Sequence, residues 1–372
     1  MAHLAFVSLP AAGHVNPTLP LVAELVRRGH RVTYSSGGVS ADAIAAAGAT
    51  ALPGSGESVR PTGTMNDQML ASVDASRAVL PGLEKTFTDD PADLLCYDWF
   101  TPYAPLLAHR LGVPTVATVP THASNASFNL FALMMPPDFD TSEYLAAQSQ
   151  LVADLGVPME PPTPRRQIVF LPRRFQLAGD TFDDSYVFVG PTLAEQREDW
   201  QPPASADKVL FVSLGTVFND HPDFFRAVVA AFADTDWHVA MAVGDQVDLA
   251  AVGEIPSNFE VRPFFPQQAV LRHATAFLTH AGMNSVMEAL LSQVPMIAHP
   301  LTPEQAANAD QLVALGFGRV LTDLAELAVT VTEVAQDKDI RANLATMADD
   351  LRAAGGATAA ADAVEAALPG SA

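Results

Sequence analysis

Along this chain, short unbroken apolar runs alternate with longer stretches in which apolar residues recur at helical spacing. The first run, 3–9, stops at Pro10 and reads as a buried strand. Pro10-Ala11-Ala12-Gly13-His14-Val15-Asn16-Pro17 follows as a loop, with Asn16 suited to cap a helix and Pro17 to its first position. The helix then runs through Leu19, Leu21, Val22, Leu25 and Val26 to Arg27-Arg28, and Gly29 stops it. A second strand follows at 31–35. Strand, helix and strand in this order predict a βαβ unit that opens a parallel sheet.

A second unit opens in the same way. Phe6-Val7-Ser8-Leu9 recurs word for word as Phe211-Val212-Ser213-Leu214, and each copy ends a strand that runs into a loop. Between the copies, 191–208 is rich in Pro, Glu, Asp and Gln and has no apolar periodicity, which is how a linker reads. The predicted organisation is therefore one α/β domain over 1–192, a linker over 193–206 and a second α/β domain over 207–352. An Ala-rich terminal helix follows within 353–372, with Val364 and Leu368 on its inner face.

The stretch 259–310 holds the densest chemistry. The apolar run 274–278 enters Thr279-His280-Ala281-Gly282-Met283-Asn284-Ser285-Val286-Met287-Glu288, and a helix without Gly or Pro begins there. Such a turn aims free backbone N–H groups and the positive end of a helix dipole at one point, a ready anion site. Glu288, one turn in, suits ribose hydroxyls, because an ionised carboxylate only accepts hydrogen bonds. A glycine here by itself is an ordinary strand-to-helix connection. His, Gly, Asn, Ser and Glu together, followed by Pro295, Pro300, Glu304 and Gln305, point to a binding site.

Charge sharpens that reading. The chain of 372 residues is long enough for two cores, and its 49% hydrophobic and 17% charged residues fit a globular protein. Its formal net charge of −22 argues against nucleic acid and anionic membrane as partners. An anionic ligand then depends on a local device such as a helix N-terminus. The single cysteine, Cys96, rules out an intrachain disulfide and is consistent with a reducing compartment. No basic leader and no membrane-length apolar window stand out, so a soluble cytoplasmic protein without membrane insertion is expected.

The block Phe264-Phe265-Pro266-Gln267, then His280 through Glu288, then Pro295-Met296-Ile297, Pro300 and Glu304-Gln305 resembles the nucleotide-sugar signature of the UDP-glycosyltransferases. Within that family it is most similar to the bacterial macrolide and natural-product branch. The resemblance implies a GT-B fold, in which two facing Rossmann-like domains look into one interdomain cleft. It also implies that the last helix crosses back onto the N-terminal domain. On the donor side it implies that Phe264 stacks on the base where relatives often carry Trp. Gln267 would touch base or ribose, and Glu288 the ribose hydroxyls. His280, Gly282, Asn284 and Ser285 would face the diphosphate, with Gly215 and Thr216 adding contacts from the second domain's first loop. Glu304 and Gln305 match the acid–Gln pair that holds sugar hydroxyls, with Glu where Asp is common. The resemblance implies further that His280, carrying charge when bound to diphosphate, offsets the leaving group in place of a metal.

Sugar transfer needs a base for the acceptor hydroxyl. His14 is the candidate, since an imidazole with its ordinary pKa near ~6.5 suits proton work at neutral pH. Asp98, at the end of the run 94–97, is the candidate to orient it. The alternatives are a loop histidine bonded to backbone and a helix cap ahead of Thr101-Pro102. Trp99, Phe100, Phe128, Phe131, Met134 and Met135 are either ordinary packing or the wall of an apolar acceptor pocket. The loops after Ser55 and over 136–144 are short beside many relatives.

Asp138-Phe139-Asp140 and Asp234-Thr235-Asp236 satisfy a D-x-D pattern, but in an acid-rich chain such a match is cheap, and the first sits in a proline-flanked loop and the second in a polar turn between an apolar helix and a strand. No His/Cys cluster has zinc spacing, so no metal or other cofactor is expected. The expected activity is inverting, metal-independent transfer of a sugar, glucose first among them, from a UDP- or dTDP-sugar to a small hydrophobic natural product. The macrolides, flavonoids and other polyketides are the acceptor classes. Inversion follows from the resemblance and from one base with no obvious nucleophile. The rivals are a nucleotide-sugar epimerase on the same fold and a non-catalytic partner that activates a transferase.

Overall fold

The computed structural model describes residues 1–36, 41–52, 63–136, 138–157, 163–193, 199–216 and 219–370. The loop following Ser55 lies outside the described residues, as does 137. Contacts divide the chain into two units, Met1–Ala194 with Ala354–Ala372, and Glu195–Ala353.

The first unit is a parallel sheet in the order β3-β2-β1-β4-β5-β6-β7. Its strands are β1 (His3–Val7), β2 (Arg31–Ser35), β3 (Thr50–Leu52), β4 (Leu94–Asp98), β5 (Thr115–Val119), β6 (Arg166–Val169) and β7 (Tyr186–Phe188). β1, β4 and β5 are buried at every position, as expected of central parallel strands covered on both faces. Side chains alternate between two cores. Leu4, Phe6, Leu94 and Cys96 enter one core with the helix Leu19–Arg27 and the helix Gly356–Ala366. Ala5, Val7, Leu95 and Tyr97 enter the other with the long helix Met65–Asp89. That long helix starts on a capping box between Thr64 and Asp67.

The segment after β1 differs from the sequence expectation. His14 lies in a one-turn helix, Ala12–Val15, and Asn16 has helical φ and ψ instead of the extended form of a cap. A 3-10 turn, Asn16–Thr18, then leads into Leu19–Arg27. The reason is Thr18. Its hydroxyl bonds Val15 O at 2.8 Å and the buried Tyr34 hydroxyl at 2.7 Å, so the chain turns helical before Pro17.

The terminal helix is anchored in this first unit. Val364, Ala360 and Ala361 are fully buried, and Leu368 packs against the same cluster. Arg28 Nη1 reaches Asp362 and Glu365 at 2.6 Å each, His30 meets Glu365 at 2.9 Å, and Gly356 N–H donates to Val189 O.

The second unit is a parallel sheet in the order β10-β9-β8-β11-β12-β13. Its strands are β8 (Lys208–Ser213), β9 (Trp237–Ala242), β10 (Phe259–Arg262), β11 (Ala276–Thr279), β12 (Met296–Ala298) and β13 (Gly318–Val320). Phe211 and Phe277 stack across β8 and β11 with ring centres 4.9 Å apart. In the stretch read as a linker, Trp200 is buried beside Phe265 and His238 and donates its indole N–H to Glu260. A large aromatic in an otherwise polar segment is enough to tie it down. Asp236 of the second D-x-D pattern pairs with Lys208 at 2.6 Å. Among the described residues no helix is long and apolar enough to cross a membrane.

Val364→Asp would place a charge among fully buried alanines of the first core. It should cost more than about 3 kcal/mol in urea unfolding, while Val329→Asp, at an exposed site of the second unit, should change stability little.

Candidate active site

In each sheet the strand order reverses once, between β1 and β4 in the first unit and between β8 and β11 in the second. Loops leaving the carboxyl ends of two such neighbours diverge to opposite faces and open a crevice. The candidate residues lie at these two points.

In the first unit, β4 ends on Asp98, whose side chain is 1% exposed. Its Oδ2 accepts from His14 Nδ1 at 2.6 Å and from the Ser8 hydroxyl at 3.2 Å. Its Oδ1 accepts the Phe100 backbone N–H at 2.9 Å. So the carboxylate also closes a turn ahead of Thr101, but it caps no helix, for the next one, Ala104–Leu111, starts after Tyr103 without a side-chain cap. His14 is 23% exposed, with Nδ1 committed to Asp98, which fixes the ring plane. Phe100 meets the imidazole edge-on at 5.1 Å, Trp99 meets Phe100 at 5.2 Å, and Phe131 meets Trp99 at 6.4 Å. These three half-buried aromatics run away from His14 in one chain. Phe128 stands apart from them, against His122, and Met134 ends the short helix Leu130–Met134. Ser8 was not among the sequence candidates. Its place in the repeated Phe-Val-Ser-Leu was the available signal, for the matching Ser213 hydroxyl accepts the Gly215 N–H at 3.2 Å.

In the second unit, the loop after β8 carries Gly215 and Thr216, and the loop after β11 carries His280 through Gly282. The two loops close on the His280 ring. A β-carbon at Gly215, where φ is +81°, would lie 2.7 Å from the imidazole, and one at Gly282 would lie 2.4 Å from Nε2. Glycine is therefore needed on both sides for the ring to fit. Burial pushes the imidazole down to about 4. The two loops strip the ring of water, which disfavours its charged form.

The helix Met283–Leu291 begins at Gly282, a cap residue with no side chain to close the first turn, where Asn284 and Ser285 stand. Glu288, one turn on, accepts from Gln267 Nε2 at 2.6 Å and from Gln268 Nε2 at 3.4 Å. Burial raises its carboxyl group above the ordinary range, and the two amides oppose the rise. Gln267 also reaches Ser285 Oγ at 3.2 Å. Phe264 is 54% exposed, its neighbour Phe265 having turned inward against Trp200 and Phe211. Glu304 and Gln305 open the helix Pro303–Ala314, where Gln305 Oε1 accepts the Leu301 N–H at 2.8 Å. The donor-side candidates thus lie on the loop after β8 and at the starts of two helices, Met283–Leu291 and Pro303–Ala314, with Phe264 exposed. Two side chains in this group escaped the sequence reading, Asn219 and Asn308. Asparagines are common in turns, so nothing local marked them.

Residues 172–349 match the family model described as "UDP-glucoronosyl and UDP-glucosyl transferase". The chain is 35% identical over 385 residues to the NDP-glycosyltransferase YjiC of Bacillus subtilis, covering 98% of this chain and 97% of that protein. The chain belongs to this glycosyltransferase family. It is also 36% identical to the oleandomycin glycosyltransferase of Streptomyces antibioticus, over 99% of this chain and 91% of that one. The solved structure of the glycosyltransferase of kitacinnamycin superposes with a TM-score of 0.91 at 34% identity, covering 99% of each chain. The fold is accordingly GT-B and the protein is a glycosyltransferase, and these full-length relatives favour neither the epimerase nor the activator.

The buried imidazole has a pH signature. With a folded value of about 4 against an ordinary 6.5, the unfolded chain takes up this proton first, so stability falls as pH drops from 6.5 to 4 and levels off below. The contribution is about 3 kcal/mol. His280→Gln should flatten the pH dependence of urea-unfolding free energy over that window by roughly this amount.

Proposed function

We propose that the protein is an inverting, metal-independent glycosyltransferase that moves glucose from UDP-glucose, or a related sugar from a UDP- or dTDP-sugar, to a hydroxyl of a small apolar natural product such as a macrolide, flavonoid or other polyketide. The observation that carries this reading is the 2.6 Å bond between His14 Nδ1 and the buried Asp98 carboxylate. It leaves Nε2 as the basic atom of an oriented imidazole. In the reaction, Nε2 takes the acceptor hydroxyl proton while that oxygen attacks the anomeric carbon. The bond from that carbon to the diphosphate oxygen breaks from the opposite face, and the nucleoside diphosphate leaves. Asp98 stabilises the imidazolium that forms.

On the donor side, the uncapped first turn of Met283–Leu291 and the His280 imidazole would receive the diphosphate, with backbone N–H groups and the helix dipole meeting the developing charge. Glu288, steadied by Gln267, suits the ribose hydroxyls, and exposed Phe264 suits stacking on the base. Glu304 and the NH2 group of Gln305 suit sugar hydroxyls. In this reading, the helix terminus and imidazole take the part a metal plays in other transferases. The aromatic chain from Phe100 through Trp99 to Phe131 supports an apolar acceptor, as do relatives named for oleandomycin and kitacinnamycin. A cytoplasmic location suits a nucleotide-sugar user with one buried, unpaired cysteine.

Incubation with UDP-glucose or a dTDP-hexose, EDTA and a panel of macrolide and phenolic acceptors should give a hexose adduct by mass. His14→Ala should lower the rate by about 10²–10⁴-fold. The anomeric proton coupling of the product should report a β-glucoside from the α-configured donor. Full-rate turnover by His14→Ala would overturn the assignment of the base, and loss of the adduct in EDTA would overturn metal independence.

A further inference from the structure

The His280 cradle is made of two loops, and each loop is tied down by one buried asparagine. Asn219, 1% exposed, donates from Nδ2 to Gly215 O at 3.0 Å. Its amide sits so close to the turn after β9 that a β-carbon on Gly244, where φ is +77°, would fall 2.1 Å from Nδ2. Asn308, fully buried, donates from Nδ2 to Ala281 O at 2.9 Å and to Glu304 Oε1 at 3.3 Å. Ala281 is itself fully buried and holds φ at +62°, a left-handed conformation that an alanine keeps only when its surroundings impose it. The Oδ1 atom of each asparagine is buried without a protein partner among the described residues. Each amide is thus held by its donor side alone, and each donor points at a carbonyl next to the ring.

We propose that Asn219 and Asn308 are positioning residues of the transfer reaction: their amide groups pin the Gly215 and Ala281 carbonyls, and thereby aim the His280 ring and the N–H groups of the following helix at the donor's diphosphate. Asn308 acts on two parts of the donor at once, because the same NH2 group steadies Glu304 on the sugar side. Both are assigned to act through the loops they hold. The inference rests on the donor-side reading given above.

The test separates phosphate recognition from general integrity. Asn308→Ala and Asn219→Ala are compared with wild type for binding of UDP and uridine, and of dTDP and thymidine, by calorimetry or ligand-observed NMR, with thermal unfolding run alongside. Loosening the cradle removes contacts to the diphosphate and leaves base and ribose contacts in place. Diphosphate affinity should therefore fall about tenfold or more, as expected for a lost charge-assisted hydrogen bond, while nucleoside affinity stays within about twofold. Equal loss of both, or no loss of either, would overturn the positioning role. If Asn308→Ala does not fold, Asn308→Thr is judged by the same ratio. Failure of wild type itself to bind either nucleotide would instead overturn the donor-side reading beneath it.

Discussion

Parallel pairing of each unit's first strand with its fourth is the constraint on which everything else here depends. β1 pairs with β4 from Leu4 with Leu94 to Val7 with Tyr97, and β8 pairs with β11 from Leu210 with Ala276 to Ser213 with Thr279. In that register the two strands of each pair end at the same level. Their following loops must then occupy one crevice, whatever residues they carry. In the first unit this sets Asp98 beside the short helix holding His14. In the second it sets Gly215 beside His280.

The two crevices use the same geometry for opposite electrostatic tasks. The first buries a carboxylate and satisfies it with a hydroxyl, a backbone N–H and an imidazole, so the charge is kept and the ring is directed. The second removes water from an imidazole and presents an uncapped helix start, so an incoming anion meets N–H groups in place of solvent. A chain with a net charge of −22 has little long-range attraction to offer a diphosphate. In the proposed function its capture would be local, through the close backbone approach that glycine allows at Gly215 and Gly282.

Strain and satisfaction are distributed accordingly. Ala281 sits in a left-handed conformation at full burial, and its carbonyl is held from a different helix by Asn308. Glu288 is buried with its carboxyl group raised, and two glutamines brace it. The second unit concentrates uncomfortable groups around one helix terminus and supports them with amides, which donate without adding charge.

Much of this was legible in the linear chain. Apolar runs and helical periodicity announced two βαβ-opening units, and His280 through Glu288 with Glu304-Gln305 announced the glycosyltransferase family, because those signals are local or ordered along the chain. His14 and Asp98 were also readable as residues at strand ends. What the order of residues could not express is a contact between distant segments. The Thr18–Tyr34 bond that turns His14's segment helical, the Trp200 anchor in an apparent linker and the Ser8 contact to Asp98 each depend on strands packed side by side. The same holds for the closure of two glycine loops on one imidazole and for the two buried asparagines. A side chain's hydration and its partners are properties of the packed space around it, so the burial that disfavours a charged His280 was decided by the tertiary structure alone.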